Sequence, residues 1–108
     1  MQVEVIGRRV EVPEQLRNAA VRKVTQLDKY LTGMDHGEVI FTDGNGHRAP
    51  VGCEVKLEGK GHVVRASASG HDPALALDEA VGRASVQMAR LKKRLVDRSR
   101  PRHGAAPD

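Results

Sequence analysis

The sequence predicts an α+β fold of order β-α-β-β-β-α, a four-stranded, mostly antiparallel sheet with two helices packed on one face. Three observations carry this prediction. Two stretches repeat apolar residues at helical spacing, around Leu16–Leu31 and Leu77–Leu95. The segments before and between them alternate apolar and polar residues at the period of a strand. A chain of 108 residues holds one domain, able to bury roughly 60–68% of its unfolded surface. Residues 1–95 are assigned to that domain.

In chain order, Val3, Val5 and Ile6 form a first strand that Gly7 ends. Pro13 opens a helix, because a missing N–H costs nothing in the first turn, and Leu16, Ala20, Val24, Leu27 and Leu31 form its apolar stripe, widened by Ala19 and Tyr30. Arg22, Gln26 and Lys29 lie off that stripe, and Gly33 is placed to stop the helix. Glu38–Thr42 reads as a short strand. The run DGNGHRAP (residues 43–50) is a connection rich in turn formers. Val51, Cys53, Val55 and Leu57 alternate as a strand with one buried face; residues 58–61 turn, and His62–Ala68 returns with Val64, Ala66 and Ala68 inward. Cys53 therefore reads as a small buried hydrophobe.

Asp72 then caps the second helix and Pro73 suits its first turn. Leu77, Val81, Ala84, Met88, Leu91 and Leu95 form its core stripe, with Arg83, Gln87, Arg90 and Arg94 together on a flank. After Leu95, residues 96–108 lose periodicity and gain Pro, Gly and charge, which predicts a basic tail, disordered when free.

The formal charge is +4, unevenly placed. Residues 83–103 hold eight Arg or Lys against Asp97, a local +7, whereas residues 1–82 sum to −2. Such asymmetry points to an anionic partner, nucleic acid ahead of a membrane surface. The competing reading is a protein-interaction or regulatory module whose basic helix flank meets an acidic protein. The only aromatic residues are Tyr30 and Phe41, so a sheet that stacks splayed bases cannot be built, and RNA recognition must use phosphate, shape and 2′-hydroxyl contacts. Arg83, Arg90 and Arg94, with Lys92 and Lys93 beside them, suit such contacts.

No catalytic constellation is present, so no enzyme is predicted. His36, His47, His62, His71 and His103 show no metal-ligand spacing with Cys53 or one another, and Asp43–Gly46 lacks the terminal Glu of a calcium loop. Neither metal nor cofactor is expected. Nothing resembles a signal peptide or a membrane span, and a single cysteine excludes an internal disulfide, so a soluble cytoplasmic protein is expected.

GRRVEVPEQLRNAAVRKVTQLDKYL (residues 7–31), VGCEVKL (51–57) and ASASGHDPALALDEAVGRASVQMARLKKRL (66–95) together resemble the ribosome hibernation-promoting factor family, including the ribosome-associated inhibitors. The resemblance runs through both helices and the strands between them. It implies binding of the small ribosomal subunit through rRNA, in the tRNA and mRNA channel of a dormant ribosome under stress, with reversible inhibition of translation. The free chain is expected to be a monomer, with no DNA or membrane partner. Arg8, Arg22, Lys23, Lys29, Arg83, Arg90, Lys92, Lys93 and Arg94 match the family's basic contact face. The sequence departs from the family at Ala74, where Tyr is common, at Ala84, where Leu is common, and around Arg48, Ala49 and Pro50. Those departures bear on affinity rather than fold. Long members carry a dimerising domain beyond this region, which makes the chain a short form or the N-terminal domain of a long one.

Overall fold

The computed structural model describes residues 1–43 and 51–99, so the departures at Arg48–Pro50, the end of the Asp43–Gly46 run and most of the predicted tail lie outside it. Its elements are β1 (Gln2–Arg8), α1 (Glu14–Gln26) continued by a 3-10 turn (Leu27–Lys29), β2 (His36–Thr42), β3 (Val51–Gly59), β4 (His62–Gly70) and α2 (Pro73–Ser99). The strands lie in the order β1-β2-β3-β4; β1 pairs parallel with β2, and the other neighbours are antiparallel. The predicted α+β architecture is the observed one.

Register builds the core in rows. Val5, Val39, Val55 and Ala66 lie side by side across all four strands, with Phe41, Cys53 and Ala68 in the next row and Leu57 and Val64 on the other side. Onto this face pack Ala20, Val24 and Leu27 from the first helical segment and Leu77, Ala80, Ala84, Met88 and Leu91 from α2, all buried in one cluster. Leu16, Val81 and Leu95 close its margins half-buried. The opposite face carries Glu4, Glu38, Lys56 and Arg65 in one row and, among the described residues, has no helix over it.

Element boundaries differ from the sequence reading, most clearly at three places. The first strand passes through Gly7 to Arg8. Gly7 serves a close approach: a Cβ there would collide with the Val10 carbonyl oxygen and come within 2.9 Å of Val12 Cγ2, because the chain turns at Arg9 (φ 61°) and folds back over it. The β3–β4 turn is tighter than the predicted four residues. Strand pairing reaches Gly59 and His62, leaving Lys60 and Gly61 at φ 54° and 75°, the mirror-type turn whose twist matches that of its strands. Finally, α2 continues past Leu95 to Ser99.

Both edge strands receive side chains from the helices. Arg17 of α1 donates from Nη1 to the Val5 carbonyl of β1 at 2.9 Å. From α2, Arg83 Nη1 donates to the Ser67 carbonyl and Gln87 Nε2 to the Arg65 carbonyl of β4, both at 2.6 Å.

Candidate nucleic-acid interface

The helices are positioned by their ends and their stripes. Asp72 caps α2 as its residue type predicts: its Oδ1 accepts from the Ala74 amide at 2.9 Å and its carbonyl from the Ala76 amide at 3.0 Å. Pro13 starts α1 without a side-chain cap, and Glu14 places negative charge at the first turn, where the helix dipole favours it. The two helices run in the same direction side by side, since Lys23 meets Asp78 while Lys29 and Tyr30, further along, meet Ala89 and Lys92.

A groove follows from this pairing. Its upper part is lined by Lys23, Gln26, Lys29, Asp78, Gly82 and Ser85, and its lower part by Lys29, Tyr30, Lys92, Lys93, Val96 and Asp97. Lys29 Nζ sits 5.3 Å from the centre of the Tyr30 ring, a cation–π distance that holds its charge at the groove. Lys23 Nζ is 2.9 Å from Asp78 Oδ1, the ion pair that ties α1 to α2.

The nine basic residues singled out from the sequence are thus distributed over several places. Lys23, Lys29, Lys92 and Lys93 come together along the interhelical groove. Arg90 and Arg94 lie on the other side of α2, in a second depression against β4 with His62, Val63 and Gln87. Arg83 is on that side too, but its guanidinium is engaged twice, by the Ser67 carbonyl and by Glu79 Oε2 at 2.8 Å. Arg22 is exposed on α1. Arg8 is not brought to the others: it ends β1 in the row facing away from the helices, beside Arg9, Thr42 and Asp43. It lies near the end of the sheet where α2 begins. Lys92 is 19 residues along that helix from Pro73, about 28 Å at 1.5 Å per residue.

Two features escaped the sequence reading. Asp78, one turn after the start of α2, places a carboxylate inside the basic groove; its spacing identifies it only as off the apolar stripe. On the sheet face away from the helices, Glu4, His36 and Glu38 bring ligand atoms within 4.8 Å of one another. Only strand register unites them, through the pairs Gln2–His36 and Glu4–Glu38. His36 Nε2 stands 3.6 Å from Glu4 Oε1, a contact that two neighbouring strands make without any ion between them.

Cys53 is 2% exposed, and burial, followed by the neighbouring Glu54 carboxylate, pushes its thiol from the ordinary 9.0 up to about 12. It is a core side chain, as its place in the alternation predicts. Phe41 is buried and Tyr30 half-buried, so among the described residues no aromatic platform faces solvent. No helix among them is long and apolar enough to cross a membrane.

Comparison with known proteins bears on these surfaces. The family model described as sigma 54 modulation protein / S30EA ribosomal protein matches residues 3–96. Among solved structures, the N-terminal domain of Protein Y from Thermus thermophilus is similar, with 26% identity, a TM-score of 0.74, and coverage of 84% of this chain and 99% of that one. A ribosomal subunit interface protein from Coxiella burnetii shares the fold at 16% identity and a TM-score of 0.77, covering 86% of this chain and 99% of that one. No curated protein matches the chain.

Proposed function

The chain belongs to the sigma 54 modulation protein / S30EA ribosomal protein family, and from that premise we propose that it is a ribosome-associated factor that lies on small-subunit rRNA. It occupies the channel used by tRNA and mRNA and so inhibits translation reversibly, by occupancy rather than catalysis, in the cytoplasm where ribosomes work. The observation that carries this reading is the placement of Lys23, Lys29, Lys92 and Lys93 along one groove between parallel helices, with Arg90 and Arg94 adding positive charge on the other side of α2. Such a surface suits a phosphate backbone, because its ammonium groups recognise charge without reading bases. The absence of an exposed aromatic among the described residues supports the same mode.

The test is co-sedimentation with purified small ribosomal subunits at two salt concentrations, beside an unrelated domain of equal net charge. The protein is expected to pellet with the subunits near physiological salt and to be released, intact, as salt rises or as tRNA with mRNA is added in excess. Pelleting no greater than that of the charge-matched control would overturn the reading and favour an acidic protein as the partner.

A further inference from the structure

The interhelical groove contains an acid at the point where its cations would meet RNA. Asp78 Oδ1 holds Lys23 Nζ at 2.9 Å, and both residues line the upper groove together with Gln26, Lys29 and Ser85. Neither partner is buried: their side chains are 34% and 54% exposed, so the pair is open to exchange with another anion. The surroundings suit an anion. The Gln26 amide can donate, and the Lys29 ammonium lies over the Tyr30 ring with no carboxylate partner among the described residues. Within this upper groove Asp78 is the single negative charge.

We propose that Asp78 is an internal counter-anion: it holds Lys23 in the free protein and yields it to an RNA phosphate on binding, and so sets how tightly and with what salt sensitivity the groove takes RNA. This rests on the RNA-binding reading of the same groove. The energetics allow the exchange. An exposed ion pair contributes only about 0.2–1 kcal/mol, whereas a phosphate neutralised by a lysine also releases condensed counterions from the nucleic acid. The exchange leaves Asp78 unpaired next to phosphate, and this repulsion is what its carboxylate adds to the cost of binding. Lys23 therefore neutralises less than a full phosphate charge while Asp78 is ionised. Removing the charge with the shape kept should restore the difference.

The experiment measures affinity for purified small ribosomal subunits over a range of salt for wild type, Asp78→Asn, Lys23→Ala and the double variant, with circular dichroism confirming that each is folded. Asp78→Asn is expected to bind about 1.5- to 5-fold more tightly at low salt, the range set by one exposed charge interaction. Its log–log salt slope should steepen by up to about 0.7–0.9, one phosphate's share. Lys23→Ala should flatten the slope by about that full share in the Asp78→Asn background, and by clearly less in the wild-type background. Equal or weaker binding by a folded Asp78→Asn, or a Lys23→Ala effect that is the same in both backgrounds, would overturn the role of Asp78 while leaving the RNA-binding reading standing. Wild type that binds no better than a charge-matched control would overturn both.

Discussion

At the scale of single residues, two side chains separate what charge and hydropathy say from what position decides. Cys53 keeps its proton up to about pH 12 in the folded chain, but an unfolded thiol loses it near 9.0. Its contribution to stability is therefore complete below pH 9 and is lost progressively as pH rises towards 12, because only the unfolded state gains from ionisation in that window. Denaturation midpoints measured from pH 8 to 11 should fall less steeply for Cys53→Ala than for wild type, and iodoacetamide at pH 8 should modify Cys53 in urea but not in buffer. Arg83 makes the complementary point. Helical spacing places it with Arg90 and Arg94, and nothing in the sequence reveals that the Ser67 carbonyl lies within reach, since that depends on how α2 crosses β4. Arg83→Ala should cost about 0.5–1.5 kcal/mol in chemical denaturation, the net worth of such a hydrogen bond, with Arg90→Ala remaining within about 0.5 kcal/mol of wild type.

At the scale of elements, periodicity identified both helices and all four strands because each buries one face, and burial is what imposes the repeat. Leu77, Met88 and Leu91 pack with Val24 and Leu27 over Val55, Val64 and Ala66, as the two stripes and the inward rows require. Leu91 is 3% exposed, so Leu91→Ala should lose about 2–5 kcal/mol on chemical denaturation; a loss under about 0.5 kcal/mol would place it at the surface. Boundaries were less legible. Gly7 resembles a strand terminator in one dimension, but its lack of a side chain is needed by the Val10 carbonyl that folds over it. Similarly, β2 begins at His36 rather than Glu38, because its first two residues pair with Gln2 and Val3 of β1, a partner far away in sequence.

At the scale of the whole molecule, the basic character of the candidate interface was legible as the excess of charge in residues 83–103, and the division of its cations between two sides of α2 was not. Composition cannot tell that α2 separates Lys92 and Lys93 from Arg90 and Arg94, nor that Arg8 ends in the row facing away from the helices. This division shapes the decisive variants. Arg90→Ala or Arg94→Ala should weaken attachment to small subunits and to unrelated RNA sequences alike, lowering the salt slope by about 0.7–0.9 for each phosphate left without its cation. Changing Arg90, Lys92, Lys93 and Arg94 together to Glu should abolish co-sedimentation and translational inhibition with little change in melting temperature, because all four are exposed. Persistent inhibition by that folded variant would locate the interface elsewhere. Arg83 is best left out of the set, since its reversal would disturb β4 as well as the charge.

The arginine and glutamine hydrogen bonds at the two margins of the sheet have a further effect at high concentration. Rows of unpaired strand carbonyls are templates on which a second chain can add to a growing ribbon. Here a newcomer would first have to strip Arg17 from Val5 on one side, or Arg83 and Gln87 from Ser67 and Arg65 on the other. The same helices that pack on the sheet therefore also guard its two margins, and removing Arg17, Arg83 and Gln87 together should raise the tendency of the concentrated chain to associate edge to edge.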